Sequence, residues 1–310
     1  MLSARSTANS FTLPAYAKIN LGLRVLGRRP DGYHELRTVF QTITLHDELI
    51  FNATDDDHIE LVCAAPDVPT DESNLVHRAA VALRERFKLQ QGACIEILKR
   101  IPTGGGLGGG SSDAAVALLG LAHLWQVNTD HRELSALGAQ LGADVPFFFT
   151  GGTAFGTGRG TEIHPLEDQP KTHLLVVTPQ VKISTSEAYK ALSAPALTKP
   201  DRPVNVPISR MEADAARALA CELTNDFAPV IFGLQPEIAR AHAALLQAGA
   251  RAAALSGSGA SVFGIFDSQA AQAQAASTLQ TETDWQTFAC ATLTRAEYKR
   301  ALRPCAAQIL

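Results

Sequence analysis

The apolar positions change period several times along the chain, and each change marks an element. FTLPAYAKINLGLRV, Phe11 to Val25, reads as a strand. RRPDGYHE then forms a turn-rich loop, and TVFQTITLHDELIF resumes as one or two strands, with HIELVC as a further short one. A polar loop over 66–73 leads into SNLVHRAAVALRERF, whose apolar residues recur at helical spacing with Ser73 placed to cap it. ACIEILKR, Ala93 to Arg100, alternates as a strand does. AAVALLGLAHLWQ is apolar on most of its surface, which predicts a buried helix. HRELSALGAQLG reads as a helix ending at Gly142, and ADVPFFFTGGTAFGTGRG turns and then runs extended.

Around Leu166–Thr172 the composition shifts to EDQPK, a linker. HLLVVTP follows as a buried strand, STSEAYKAL opens a helix, and the proline-rich 194–207 is an excursion. MEADAARALACEL and PEIARAHAALLQAGA are helical, and TNDFAPVIF between them has no clear period. RAAALSGSGASVFGIF reads as strand, glycine turn, strand; SQAAQAQAASTLQ as helix; TFACATLTR as strand. Helices mixed with antiparallel-looking strands predict an α+β fold.

One segment departs from all these periods. PTGGGLGGGSSDAA, Pro102 to Ala115, has six glycines in the seven residues Gly104–Gly110, between a strand and a buried helix. Ordering glycine is entropically costly, so a linker is a poor explanation. A glycine loop feeding a helix start suits an anion, because free N–H groups and the helix dipole point the same way. Ser111, Ser112 or Asp113 is placed to cap that helix. Gly105 and Gly110 have the P-loop spacing, but Ser111 stands where its lysine belongs, and no lysine follows Lys99 before Lys171. Gly104, Gly106 and Gly109 fit the dinucleotide pattern, with Asp130 at a suitable distance. That acid lies in VNTDHREL, a turn entering a helix, where the pattern needs a strand end.

Length and composition narrow the class. The 310 residues, 46% apolar, suffice for two domains. A net charge of −4 argues against a broad nucleic-acid surface. Five cysteines, at 63, 94, 221, 290 and 305, form no C-x-x-C pair and read as free thiols of a reducing compartment. Nine dispersed histidines suggest no structural metal site. The longest apolar helix is too short to cross a bilayer, and MLSARSTANS lacks the apolar core of a signal peptide. A flexible leader over 1–10, cytoplasmic localisation and no obligatory protein, membrane or nucleic-acid partner are the expectations.

Three further motifs carry chemistry. AKIN places Lys18 and Asn20 two apart on one strand face. A strand lysine is ordinarily solvated. LGADVPFF sets Asp144 among apolar residues, where it is either a turn former or a general base with a cation such as Lys18 for a neighbour. LSGSGASVFG, Leu255 to Gly264, is a tight hairpin whose small residues also suit close approach to a ligand.

Taken in order, these motifs resemble the GHMP kinases, which cradle ATP phosphates without a P-loop lysine. AKINLGLRVLGRRPDGYHEL, GLGGGSSDAA, LGADVPFF and SGSGASVFG resemble one branch in particular, from about Pro14 to Phe266. Its acceptor is a cytidine-diphosphate-linked methylerythritol, phosphorylated at the 2-hydroxyl. The resemblance implies an ATP-binding domain like domain 2 of ribosomal protein S5 over 11–168, a ferredoxin-like domain over 169–310, and an active site between them. It implies Asp144 as catalytic base and Lys18 as catalytic lysine. Pro102, Gly104, Gly105, Gly106, Leu107, Gly108, Gly109, Gly110, Ser111, Ser112 and Asn74 would bind ATP, with Mg²⁺ near Ser111 or Ser112 and no dedicated metal site. Asn20, Tyr33, His34, Tyr189, Thr185, Gly257 and Gly259 would meet the acceptor, Tyr33 and His34 as a pair receiving cytosine. Two rivals remain: a GHMP kinase for a substrate without a base, against which PDGYH argues, and a non-catalytic sensor, against which Lys18 and Asp144 argue.

Overall fold

The computed structural model describes residues 10–195, 210–303 and 305. The expected leader, apart from Ser10, and most of the proline-rich excursion lie outside the described residues.

The first part of the chain runs β1 (Ser10–Arg28), β2 (His34–Ala53), β3 (Ile59–Cys63), α1 (Leu75–Phe87), β4 (Ala93–Leu98), α2 (Gly109–Leu124), α3 (His131–Leu141), α4 (Phe147–Thr150), β5 (Thr153–Thr157) and β6 (Glu162–Pro165). Of the one or two strands expected over 38–51, the structure has one, β2, 20 residues long and antiparallel to β1. One strand suffices because β2 changes partner along its other edge: residues 38–41 pair with β5 and residues 48–53 with β4. β3 and β4 pair in parallel, with α1 as the crossover.

The second part runs β7 (His173–Pro179), α5 (Thr185–Leu192), α6 (Arg210–Glu222), α7 (Ala228–Leu234), α8 (Pro236–Gln247), β8 (Ala252–Leu255), β9 (Val262–Phe266), α9 (Gln269–Leu279), β10 (Trp285–Ala291) and α10 (Arg295–Ala301). Its antiparallel sheet has the order β10-β7-β9-β8.

Two cores serve these sheets, and a third joins them. Leu13, Ala15, Leu49 and Phe51 pack with α1 and α2 in the first. Leu175, Val177 and Val262 pack with α7, α8 and α9 in the second. Ala17, Ile19 and Leu21 of β1 meet Leu174, Val176 and Phe263 in the third. β1 is therefore buried continuously from Ala17 to Leu23, because both parts of the molecule close over it. A polar side chain there is desolvated whichever face it occupies, and Lys18 is 3% exposed.

Several local expectations change. Asn74, not Ser73, caps α1: its side chain accepts from Val76 N–H at 2.8 Å, while the Ser73 hydroxyl bonds Asp71. Gly108, not Ser111, Ser112 or Asp113, caps α2, with no side-chain cap bond. Pro146-Phe-Phe-Phe forms the short α4 before the chain extends. The uninterpreted segment after Asn225 becomes α7. α10 was absent from the period reading, although Thr294 and Glu297 form a capping box at its start. It also leaves the second unit: Tyr298, Leu302 and Cys305 pack into the first core. The Tyr298 hydroxyl donates to the Phe148 carbonyl at 2.5 Å.

Candidate active site

β1 reaches the site through two irregularities. Its register with β2 shifts between Tyr16 and Lys18 and again between Asn20 and Gly22. Bulges re-aim side chains, and the segment between these two carries Lys18 and Asn20. Lys18 Nζ donates to Asn20 Oδ1 at 2.8 Å and to the Gly106 carbonyl at 2.9 Å, and lies 3.3 Å from Asp144 Oδ2. The Phe40 ring lies 5.6 Å from the ammonium. Asn20 Nδ2 in turn donates to Thr38 Oγ1 at 2.7 Å, and Thr38 donates to the Gly22 carbonyl at 2.8 Å. A buried charge persists only when paired and hydrogen-bonded, and every contact of Lys18 serves that end. Asp144 is the more open partner, its side chain 33% exposed against 4% for Lys18.

The glycine loop is threaded between this strand and the β8–β9 hairpin. Lys18 N–H donates to the Leu107 carbonyl at 2.9 Å, and Ser261 N–H to the Gly105 carbonyl at 3.0 Å. The Gly106 carbonyl also accepts from Ser256 Oγ at 3.0 Å. Two glycines are sterically required. A Cβ on Gly106 would lie 2.2 Å from the Ser256 carbonyl oxygen, and its φ is +73°. A Cβ on Gly108, at φ +70°, would lie 2.9 Å from Lys18 Cγ and 3.0 Å from Phe148 Cζ. The hairpin side is fixed by Asn225, whose Nδ2 donates to the carbonyls of Leu255 at 2.9 Å and Gly257 at 2.8 Å.

A buried charge cluster lies beneath the loop. Lys99 Nζ donates to Asp47 Oδ2 at 2.7 Å and to Asp113 Oδ2 at 2.6 Å. A Cβ on Gly109 would lie 3.2 Å from that ammonium. Asp47 Oδ1 also accepts backbone N–H groups of Arg100 at 2.5 Å and Ile101 at 2.8 Å, whereas Asp113 Oδ1 is buried with no hydrogen-bond partner. Burial would lower the Lys99 pKa, but Asp113 and Asp47 outweigh it and raise it. Burial pushes the Asp113 carboxyl up to about 7, against the opposing pull of Lys99. Lys99 is not among the site residues expected from the sequence. The signal was its parity: Ala93, Ile95 and Ile97 of β4 point inward, and Lys99 continues that side.

Two cavities meet at Asp144. One, of about 470 Å³, is lined by Lys18, Asn20, Asn74, Pro102 and Gly104–Ser111. The other, of about 1250 Å³, is lined by Tyr33, His34, Arg159, Lys190 and the α3–α4 turn. Ser111, Asp144, Thr185 and Tyr189 line both. Gly257 lines the first, Gly259 neither. Ser112 also lines neither: it is fully buried and its hydroxyl has no partner, so Ser111 is the serine that faces the cleft.

The aromatic residues are arranged differently from the expected pair. His34 stacks on Tyr189, ring centres 4.4 Å apart and planes at 21°, and Tyr189 meets the edge of Phe227. Tyr33 is 57% exposed, with the Arg159 guanidinium 4.6 Å from its ring centre. Tyr33 belongs to the turn and His34 begins β2, and both line the larger cavity. Burial, then the nearby Arg28, lowers the His34 pKa, which favours a neutral ring. Burial, then Asp144, pushes the Tyr189 phenol up, so it remains a hydrogen-bond donor. No group of three or more His, Cys, Asp or Glu is arranged for a metal among the described residues, and no helix among them is long and apolar enough to cross a membrane.

The glycine loop, the Lys18–Asp144 pair and the two-part α+β fold define a GHMP kinase. The GHMP kinase N-terminal domain family matches residues 74–152 and the C-terminal domain family residues 210–283. A homoserine kinase from Cytophaga hutchinsonii shares this fold at 18% identity, with a TM-score of 0.68 over 95% of this chain and 98% of that one. A 4-diphosphocytidyl-2-C-methyl-D-erythritol kinase of Chlorobium phaeobacteroides is 42% identical over 83% of this chain and 86% of its own. That of Citrifermentans bemidjiense is 40% identical over 91% and 98%. A crystal structure of 4-(cytidine 5'-diphospho)-2C-methyl-D-erythritol kinase is 34% identical, with a TM-score of 0.73 over 91% of this chain and 99% of that one. The chain belongs to the 4-diphosphocytidyl-2-C-methyl-D-erythritol kinase family of GHMP kinases.

Proposed function

We propose that this kinase transfers the γ-phosphoryl group of ATP to the 2-hydroxyl of 4-diphosphocytidyl-2-C-methyl-D-erythritol, in the non-mevalonate route to isoprenoid precursors. The observation that carries this reading is the meeting of the two cavities at Asp144 and Ser111. ATP occupies the smaller cavity, its phosphates against the N–H groups of the glycine loop and the start of α2. The acceptor occupies the larger one, its hydroxyl beside Asp144 and its cytosine among Tyr33, His34 and Tyr189. The hydroxyl is tertiary and crowded, so positioning contributes more than intrinsic nucleophilicity.

Asp144 takes the hydroxyl proton as the oxygen attacks. Lys18, 3.3 Å from that carboxylate, stabilises negative charge at the attacking oxygen. Asn20 and the Gly106 carbonyl hold the ammonium in place. The cleft-facing donors beside the phosphate site, Ser111 and Asp144, are oxygen ligands and suit Mg²⁺ held chiefly by ATP itself. Bound there, the ion neutralises charge on the transferring group.

The test is ADP release from purified protein with Mg·ATP, offering the cytidine compound beside homoserine, mevalonate and galactose. Release with the cytidine compound alone is the expected result. Release with another acceptor keeps the kinase class and removes the acceptor assignment. ATP binding without release would favour a sensor.

A further inference from the structure

The acceptor cavity has an unbalanced charge. The side chains of Arg28, Arg159 and Lys190 line it, and the carboxylate among its lining residues is Asp144, already beside Lys18. None of the three cations forms an ion pair among the described residues, in a protein whose net charge is −4. Arg28 and Lys190 are exposed, and Arg159 is half-buried. A half-buried guanidinium without an anion has given up hydration for no compensating partner.

The backbone at Arg159 is fixed. It lies in the turn between β5 and β6, where Gly158 N–H donates to Glu35 Oε1 at 3.1 Å and Leu36 N–H donates to the Gly158 carbonyl at 2.7 Å. Both bonds tie the turn to the start of β2, next to His34. Glu35, which could have neutralised Arg159, is engaged by Arg29 Nη1 at 2.6 Å. Glu162 is engaged by Thr157 Oγ1 at 2.9 Å. Arg159 is thus held at the cavity wall with its charge open to a ligand and its guanidinium 4.6 Å from the Tyr33 ring centre.

The order of groups in the acceptor supplies the ligand. This step rests on the acceptor assignment made above. Cytosine at the aromatic residues and the reacting hydroxyl at Asp144 leave the diphosphate in the stretch of cavity between them. We propose that Arg159 binds the diphosphate of the acceptor, with Arg28 and Lys190 adding charge at the rim. Its guanidinium suits paired phosphate oxygens, and the cation–π contact with Tyr33 helps to hold it there. The same contact links recognition of the base to recognition of the diphosphate.

The test measures binding of cytidine, CMP and CDP by calorimetry, with the nucleotide cavity saturated by a non-hydrolysable ATP analogue. Wild type should bind CDP more tightly than cytidine. In Arg159→Leu that advantage should fall about 10- to 100-fold, the range for a charge-assisted hydrogen bond. Cytidine affinity should change by less than about threefold, on the scale of an exposed cation–π contact. Arg159→Lys should recover part of the CDP advantage, since it restores charge without the fork. Equal losses for cytidine and CDP would reduce Arg159 to a support for Tyr33 and overturn the proposal. An unchanged CDP advantage in Arg159→Leu would overturn it too. Failure of wild type to bind even cytidine would instead remove the acceptor assignment on which the proposal stands.

Discussion

The two cavities that meet at Asp144 are built from different materials. The smaller is walled by backbone: Gly104–Gly110, the start of α2, and the β8–β9 hairpin that donates to the carbonyls of Gly104 and Gly105. Its nearest charges, Lys18 and Lys99, are buried and already partnered. The larger is lined by exposed Tyr33 and by Arg28, Arg159 and Lys190, which have no ion pair among the described residues. Backbone N–H groups and a helix dipole recognise phosphate as a class, whatever carries it. Side chains of varied chemistry recognise one molecule. On the proposed assignment, the nucleotide half recognises a class of ligand and the acceptor half is where substrate choice resides.

Four substitutions sharpen this division. Asp144→Asn, where the cavities meet, should lower kcat by about 10²–10⁴ with the fold intact, the range for loss of a positioned base. Turnover beside circular dichroism checks this, and near-normal kcat would remove the base role. Gly106→Ala brings a Cβ against the Ser256 carbonyl at positive φ. It should raise KM for ATP about tenfold or more, given about 1–3 kcal/mol of backbone strain, and leave cytidine binding nearly unchanged. Comparable losses on both sides would show that the cavities are not separately built.

Tyr33→Ala should do the reverse, weakening the cytidine acceptor about tenfold, within the range for base–aromatic stacking. KM for ATP should hold steady, and an unmoved acceptor KM would refute the stacking role. The smallest effect belongs to Asp113→Asn, beneath the loop. The folded pKa of Asp113, about 7, lies above the ordinary aspartate value of 3.8, so the folded state binds the proton more tightly. Its contribution to stability is present at low pH and is lost as pH rises from near 4 through about 7. Urea midpoints from pH 5 to 8 should therefore fall more for wild type than for Asp113→Asn. Parallel profiles would show that Asp113 does not carry this proton.

Much of the fold was legible because its signals are local. Period-2 runs located the main strands, period-3.6 runs located α1, α3 and α8, and the glycine cluster marked a wall of the smaller cavity. Where two local signals competed, geometry chose between them. Ser73 and Asn74 are both good caps, and only Asn74 reaches Val76 N–H. α10 had its capping box in Thr294 and Glu297, but a short helix beside a strand leaves a weak period.

The site was legible in its composition and not in its pairing. The sequence supplied Lys18, Asn20, Asp144 and the glycines. It could not reveal that Lys99 lies under Gly109, because that contact depends on β4 and α2 packing against each other across the loop. Nor could it separate Tyr33 from His34, which are adjacent in the chain and face different neighbours. By itself the sequence determined most of the strands and helices, and where glycine clusters. Periodicity and steric freedom are properties of a few consecutive residues. Tertiary structure alone decided which charges are paired and which remain open to a ligand. Pairing is set by residues as far apart as Lys18 and Asp144, which only the folded chain brings within 3.3 Å.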